Sequence, residues 1–208
     1  MRLHILVEGP ADAAFFRGWL PRFLSGHTWK IIQHRGKGRV PRNPANPPNP
    51  RHEGLLDQLP AKLRAYGRTL NPATDRVLIV VDLDDDSCAE LKSRLLALLD
   101  YCEPRPVVLF RIAIEEMEAF YLGDQEAIRK AFPAAKLARM RNYSQDGIGG
   151  TAELFQEIIQ APREDKVEWA ERMAAHLGTT WRGASANRSP SFRQLCRGLL
   201  RLAGEQLG

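Results

Sequence analysis

The sequence predicts an α/β fold, in which helices flank a largely parallel sheet and a helical C-terminal part follows. Between residues 1 and 112, short runs rich in Val, Ile and Leu alternate with segments whose apolar residues recur at helical spacing. The two clearest runs, Arg2–Val7 and Arg76–Val81, are nearly continuous in apolar residues, as buried parallel strands are. Both runs end abruptly in carboxylates. After Ile114 only helical patterns remain.

The elements of the first part follow in order from these patterns. Strands are predicted at Arg2–Val7, Thr28–Gln33, Arg76–Val81 and Pro106–Ile112. Helices are predicted from Asp12 onward, at Leu55–Tyr66 and at Ser87–Tyr101. The apolar residues of the first helix have near-helical spacing and are interpreted as core: Phe15, Phe16, Trp19, Leu20 and Phe23.

The segment from Arg35 to Arg51 is predicted to be a flexible loop over the functional site. Its prolines remove backbone donors, and Gly36 and Gly38 favour turns, so the segment cannot form a regular helix or strand. The loop carries four cations that would suit a phosphate-bearing ligand: Arg35, Lys37, Arg39 and Arg42.

The second part of the chain is predicted to be helical. The helices are expected at Glu115–Leu122, Gln125–Ala131, Ala152–Ile159, Lys166–Leu177 and Ser191–Leu207. A glycine-containing loop is expected at Asn142–Thr151. We interpret residues 1–125 as an α/β core and residues 126–208 as a helical extension of the same domain.

Composition limits the classes of protein to consider. A chain of 208 residues suits one domain, and its three widely spaced cysteines fit neither a disulfide framework nor a zinc site. No apolar run is long enough to span a bilayer, and no signal peptide is recognisable, so we expect a cytoplasmic protein without a membrane partner. The net charge of +5 is too small to prove nucleic-acid binding by itself.

Carboxylates follow the ends of the two clearest predicted strands. Glu8 and Asp12 follow the first, and Asp82, Asp84 and Asp86 follow the other. Ligands of open α/β sheets bind beyond the carboxyl ends of the strands, so these side chains are expected in one crevice. Clustered carboxylates repel one another unless a cation lies among them, and oxygen ligands suit Mg²⁺ or Mn²⁺.

Each of these carboxylates also has a structural interpretation. Glu8 could be a surface charge at a turn, and Asp12 could cap the first helix. Asp82 and Asp84 point the same way if the strand geometry continues, but they could instead belong to a solvated acidic loop. Asp86 is interpreted as either a metal ligand or the N-cap of the helix that follows.

Glu115 and Glu118 form a further acidic pair after the last predicted strand. Residues three apart on one helix face can reach a common point, and strand ends on one edge of a parallel sheet would turn this pair toward Asp82 and Asp84. The pair could then hold a second metal, or it could be first-turn acidity favoured by the helix dipole.

Basic residues surround the acidic ones in sequence, at residues 34–42, 129–141 and 182–201. Lys37 could contact a scissile or flanking phosphate, and Arg188 with Asn187 and Ser189 could contact phosphate on a C-terminal loop. The alternatives are solvated helix faces and, for Ser189, the capped start of a helix. An acidic centre with basic surroundings suits a metal-dependent enzyme that acts on phosphodiesters.

These motifs resemble the Toprim domain of topoisomerases, DnaG-type primases and the OLD (overcoming lysogenization defect) nucleases. Glu8 matches the family glutamate, and Asp82 and Asp84 match its Asp-x-Asp; the spacing of Glu8 and Asp12 is similar to the OLD branch. The resemblance implies a Toprim-like, Rossmann-like sheet, metal held by Glu8, Asp12, Asp82 and Asp84, and a second metal held by further carboxylates.

The chain also resembles a small bacterial Toprim-like family of unknown function. The matching segments are Gly36-Lys37-Gly38, Arg111 to Asp124, and Ser189-Pro190-Ser191-Phe192. OLD nucleases join a Toprim domain to an ATPase, which this sequence lacks, so the resemblance implies a separately encoded ATPase partner and a role in defence against phage.

Two functions from different classes are therefore expected. The first is a metal-dependent nuclease acting on DNA or RNA, in which Glu8 is a metal ligand or a general acid or base and Lys37 contacts the phosphate. The second is a non-catalytic or regulatory subunit that binds an ATPase or nucleic acid.

Overall fold

The computed structural model of the protein describes residues 1–84, 86–147, 149–162 and 165–205. Four strands form its sheet: β1 (Arg2–Val7), β2 (Thr28–Gln33), β3 (Asp75–Asp82) and β4 (Val108–Ala113). Their order is β2-β1-β3-β4, and the sheet is parallel. The predicted α/β class is confirmed, and the predicted bounds of β1 and β2 match those of the structure.

Nine helices are found in the described part of the chain, together with 3₁₀ turns at Leu98–Tyr101 and Leu137–Asn142. They are α1 (Pro10–Phe23), α2 (Leu55–Thr69), α3 (Cys88–Ala97), α4 (Glu118–Leu122), α5 (Gln125–Ala131), α6 (Thr151–Ile159), α7 (Lys166–Ala174), α8 (Trp181–Ala186) and α9 (Pro190–Ala203). The sequence did not predict α8. The predicted end of the last helix, Leu207, lies outside the described residues.

The helix predicted over Glu115–Leu122 starts later than expected. α4 begins at Glu118, and Glu115 has a backbone φ of 63°, in the left-handed region that no α-helix accommodates. The prediction that Glu115 and Glu118 share one helix face is therefore wrong.

The chain forms two compact units. The first comprises Met1–Pro10, Gly26–Val81 and Asp86–Ile112, and the second comprises the described residues of Ala11–Ser25, Asp82–Asp85 and Ala113–Gly208. In the first unit, the apolar residues of β1, β3 and one face of α2 are buried. No helix in the described ranges has both the length and the apolar character needed to cross a membrane.

An aromatic cluster forms the core of the second unit. The ring of Trp19 stacks on Phe23 with centroids 4.3 Å apart, and the ring of Phe155 contacts both Tyr121 and Trp169. Phe15, Phe16, Trp19 and Leu20 are fully buried, and Phe23 is nearly so. The interpretation of these α1 residues as core is confirmed.

Candidate functional site

Backbone hydrogen bonds join the Gly36-Lys37-Gly38 loop to two other segments of the first unit. The N–H of Gly36 donates to the carbonyl of Glu8 at 2.9 Å, so the loop is joined to the turn that follows β1. The carbonyls of Gly36 and Lys37 accept hydrogen bonds from Leu55 and Leu56 at 2.9 and 2.7 Å. These are the first N–H groups of α2, which have no partner within the helix. The backbone of Lys37 is thereby fixed in place.

The side chain of Lys37 is also held in place. Its ammonium lies 2.7 Å from Oδ2 of Asp86, and only 13% of the side chain is exposed. The N-cap interpretation of Asp86 is wrong, because the hydroxyl of Ser87 accepts the cap hydrogen bond from Glu90 at the start of α3. Asp86 instead supplies the countercharge of a largely buried lysine.

The other three cations of this loop, Arg35, Arg39 and Arg42, are exposed. Arg35 forms an ion pair with Glu53 at 2.5 Å, and the side chain of Arg39 lies at the surface. The segment has no regular secondary structure in the range 35–51, as predicted. Gly38 has a φ of 67°, and a Cβ at this position would lie 3.0 Å from the Cα of Gly54. This close approach accounts for a glycine here.

In the second unit, the backbone beyond β3 is strained. Asp82 ends the strand, and Asp84 has a φ of 48°, so the extended geometry that would align their side chains does not continue. Leu83 donates to the carbonyl of Ala113 at 2.8 Å, and Asp84 donates to that of Glu115 at 3.2 Å. Asp84 and Glu115 are thus two left-handed, non-glycine residues joined by one hydrogen bond. Backbone strain of this kind clusters at functional sites.

The carboxylate of Glu115 caps α6. Its two oxygens accept hydrogen bonds from the N–H groups of Gly150 and Thr151, at 2.5 and 2.8 Å. The N-terminus of a helix carries partial positive charge and unpaired donors, so it attracts an anion there. The structure therefore shows a capping role for Glu115, and its role as a metal ligand stays a prediction.

Glu118 is buried, and its carboxylate forms an ion pair with the same lysine as Glu116 does. The ammonium of Lys166, the first residue of α7, lies 3.3 Å from Glu118 and 3.2 Å from Glu116. Burial raises the pKa of Glu118, and the nearby ammonium opposes that rise. Burial alone would lower the pKa of Lys166, but the two glutamates outweigh it and raise that pKa. The ammonium is therefore held in its charged form.

Three carboxylates of the second unit act electrostatically on the buried phenol of Tyr121. Glu118 lies one turn before Tyr121 on α4, and Asp12 lies one turn before Phe15 on α1, whose ring is 5.8 Å from that of Tyr121. Burial raises the pKa of Tyr121 well above its usual range, and the charges of Glu118, Asp12 and Asp82 raise it further. We call Asp12, Asp82 and Glu118 the acidic cluster.

Asp12 is not a helix cap. α1 begins at Pro10, so Asp12 lies inside the first turn, where its charge is favourable to the helix dipole. The N-cap interpretation of this residue is therefore wrong.

The C-terminal loop that carries Asn187 and Arg188 ends at Ser189, which caps the helix that follows. Ser189 is the N-cap of α9, which confirms that interpretation, and its hydroxyl accepts from Phe192 at 3.2 Å. The buried amide of Asn187 donates to the carbonyl of Phe120 at 2.9 Å. Arg188 is exposed and lines a cavity of about 480 Å³ together with Lys130 and His176.

The donor chemistry of these residues fits a hard cation in part. The acidic cluster offers only oxygen donors, as Mg²⁺ and Mn²⁺ require. Within the described ranges, however, no three His, Cys, Asp or Glu side chains are close enough together to hold a metal ion. Mg²⁺ or Mn²⁺ therefore stays a prediction.

Two residues of this site were not found by sequence reasoning. Tyr121 was counted only as part of a helix, because an aromatic residue in an apolar segment indicates core. Lys166 did leave a signal, since a cation at the first position of a helix opposes the helix dipole and needs a nearby anion.

Comparison with known families gives one match. The sequence model of a family described as a domain of unknown function, DUF4276, matches residues 7–200. Comparisons with the curated proteins and with the solved structures gave no match.

Proposed function

The chain belongs to the DUF4276 family, and from its own residues we propose that it is a divalent-metal-dependent nuclease that hydrolyses phosphodiesters of DNA or RNA. The observation that carries this proposal is the acidic cluster. Asp12, Asp82 and Glu118 come from three separate segments of the second unit, and their charges all act on the one buried phenol of Tyr121. Carboxylate oxygens contributed by separate segments are the ligands that a hard divalent cation takes in proteins.

Two members of the acidic cluster, Asp12 and Asp82, are the proposed ligands of Mg²⁺ or Mn²⁺ together with Asp84, whereas the third member, Glu118, is paired with Lys166. Bound there, the ion would neutralise phosphate charge and lower the pKa of a bound water. Asp84 is exposed and its backbone is fixed by the hydrogen bond to Glu115, so its carboxylate is accessible from solvent. Glu8 stays predicted as a ligand or as a general acid or base.

The phosphate-binding part of the proposal rests on Lys37. Its ammonium is fixed by Asp86 and its carbonyl by the N–H of Leu56 in α2, so little side-chain freedom remains to be lost when it contacts a phosphate. Arg35 and Arg39 in the first unit, and Arg188 in the second, are each exposed and available to a phosphate.

The biological setting of the proposal comes from the resemblance to the Toprim domain of OLD nucleases. It implies a protein that acts with a separately encoded ATPase in defence against phage, and it favours a metal site. The oxygen donors suit Mg²⁺ or Mn²⁺, and the composition favours a cytoplasmic location.

A second candidate is a non-catalytic or regulatory subunit that binds an ATPase or nucleic acid. The observation that favours it is the pairing of the candidate catalytic groups within the chain. Lys37 is neutralised by Asp86, and Lys166 lies between two glutamates. Paired charges of this kind also occur in purely structural networks.

Cleavage assays with Mn²⁺ separate the two candidates. Supercoiled plasmid, single-stranded oligonucleotide and tRNA are incubated with the wild type, with Asp82→Asn and with the control Asp100→Asn, an exposed residue paired with Arg105. We expect cleavage by the wild type and by the control, and a loss of about 100-fold or more in Asp82→Asn, because a metal ligand is removed.

The outcomes decide between the candidates as follows. Cleavage that persists in a folded Asp82→Asn protein contradicts the assigned site. Binding of nucleic acid without cleavage of any of the three substrates favours the non-catalytic subunit.

A further inference from the structure

We propose that a cavity in the first unit binds one base of single-stranded nucleic acid and prefers thymine or uracil. The cavity has a volume of about 300 Å³ and lies between α2 and residues 41–52. This volume is at the lower end of the range for small-molecule sites, so it suits a single base. The inference rests on the nucleic-acid binding of the proposed function, and it names the base that the chain would recognise.

The segment on one side of the cavity is a threefold repeat of the tripeptide Pro-x-Asn. The repeats begin at Pro41, Pro44 and Pro47, and each ends in an asparagine. The guanidinium of Arg64 on α2 donates to the carbonyls of Pro44 and Asn46, and Pro44 is buried. These contacts hold the segment against α2, so the cavity is formed before a ligand binds, which favours affinity.

Hydrogen bonds within the repeat fix which amide atoms remain for a ligand. Because a backbone N–H can only donate, the side-chain oxygen of Asn43 is the atom that accepts from Ala45 at 3.1 Å. The side-chain oxygen of Asn49 likewise accepts from the N–H of Arg51 at 3.0 Å.

The orientation of Asn46 follows from that of Asn43. With its oxygen engaged, Asn43 donates through its amide nitrogen to the side-chain oxygen of Asn46 at 3.2 Å. Asn46 and Asn49 both line the cavity, and their amide nitrogens donate to no acceptor among the described residues. The repeat therefore offers two amide donors to a ligand.

An acceptor, a cation and apolar surfaces also line the cavity. The carboxylate of Asp57 accepts from the N–H of Arg39 at 3.3 Å and has capacity for a further donor. Arg42 is exposed and available to the phosphate of a bound nucleotide. Pro47 from the repeat and Pro60 from α2 supply apolar surfaces against which a base can pack.

Thymine and uracil match this set of groups. Each base carries two carbonyl acceptors with one N–H donor between them, and the cavity offers two amide donors and one carboxylate acceptor. Adenine carries an amino donor where thymine carries a carbonyl, so it would place a donor against the amide nitrogens. In a duplex these groups are engaged in base pairing, so the ligand is single-stranded.

The experiment measures, by fluorescence anisotropy in EDTA, the binding of labelled oligonucleotides that contain only thymine or only adenine. Without a metal ion, the measurement does not depend on the proposed metal site. We expect the thymine oligonucleotide to bind about tenfold more tightly to the wild type.

The variants test the two amide donors. The double variant Asn46→Asp with Asn49→Asp keeps both oxygen acceptors of the repeat and removes both amide donors, so the preference for thymine should disappear. The control Asn71→Asp adds a negative charge at an exposed asparagine whose side-chain oxygen accepts from the N–H of Ala73, and it should keep the preference.

The outcomes separate this inference from the proposed function. Equal affinity of the wild type for the two oligonucleotides, binding of neither, or a preference that persists in the folded double variant overturns the inference. If the double variant does not fold, as judged by circular dichroism, the wild type and Asn49→Asp decide, and an unchanged preference in Asn49→Asp overturns it. Cleavage with Mn²⁺ but without a base preference leaves the proposed function standing, whereas a base preference without cleavage leaves this inference standing and contradicts the nuclease.

Discussion

Glu115 shows how a single residue can be committed to a role other than the one its spacing predicts. Because its carboxylate accepts two N–H groups at the start of α6, Glu115→Ala should lower the free energy of unfolding by about 1–2 kcal/mol, the usual cost of losing such a cap. Urea denaturation monitored by circular dichroism measures this change.

The control for this prediction lies on the same helix. Glu157 pairs with Arg139 at the surface, and removing an exposed ion pair costs at most about 1 kcal/mol. If Glu115→Ala and Glu157→Ala lower the free energy of unfolding by the same amount, the capping role of Glu115 is contradicted.

Tyr143 gives a second prediction at the residue scale. Burial raises its pKa to about 12, and the charges of Asp146 and Glu115 contribute to that rise. An unfolded tyrosine ionises near pH 10. Its contribution to stability is therefore full below about pH 10 and is lost as the pH rises toward 12, because the unfolded state releases the proton first.

Absorbance at 295 nm measures this ionisation. The increment that appears near pH 12 in the wild type should be smaller in Tyr143→Phe, and the decline in stability between pH 10 and 12 should be shallower. An unchanged titration curve in that variant would contradict the assignment.

At the scale of elements, the start of α9 depends on one hydroxyl. Ser189 is fully buried, accepts from the N–H of Phe192 and lies 2.9 Å from the hydroxyl of Ser191. Ser189→Ala should cost about 1–2 kcal/mol, because it removes the cap and leaves a buried donor unpaired. Ser185→Ala, on α8, is the matched control and should change stability by less than about 0.5 kcal/mol.

Elements were predictable where local pattern and tertiary structure agree. The bounds of β1 and β2 follow from short apolar runs between turn residues. α8 was missed because six residues that include Gly183 and Ser185 have no apolar periodicity. The start of α4 was misplaced because the left-handed conformation of Glu115 is stabilised by partners 35 and 36 residues away, Gly150 and Thr151.

At the scale of the whole molecule, the sequence points to candidate anions but not to the partners of the charged side chains. Acidic residues after apolar strands form a local pattern, so Asp82 and Asp84 are predicted as ligands from spacing alone, and that role stays a prediction. The pairing of Lys37 with Asp86, and of Lys166 with Glu118, joins residues about 50 positions apart. Such pairs depend on how helices and loops pack, which no local pattern contains.

Metal binding should also stabilise the whole molecule. A ligand that binds only the folded state raises the free energy of unfolding by about 2.7 kcal/mol at a concentration 100 times its dissociation constant. For a chain of 208 residues this corresponds to a rise of about 5–10 °C in the melting temperature. Differential scanning calorimetry with Mn²⁺, and with EDTA as the metal-free reference, measures the rise.

Variants of the proposed metal ligands should lose the Mn²⁺-dependent rise in melting temperature. In a protein carrying both Asp82→Asn and Asp84→Asn, the Mn²⁺-dependent rise should disappear, because two proposed oxygen ligands lose their charge. The metal-free melting temperature of the double variant, measured with EDTA, is the reference against which its Mn²⁺-dependent rise is taken. The control Asp100→Asn should keep the full rise, since Asp100 pairs only at the surface with Arg105. A rise of the same size in the double variant would place the metal elsewhere in the chain.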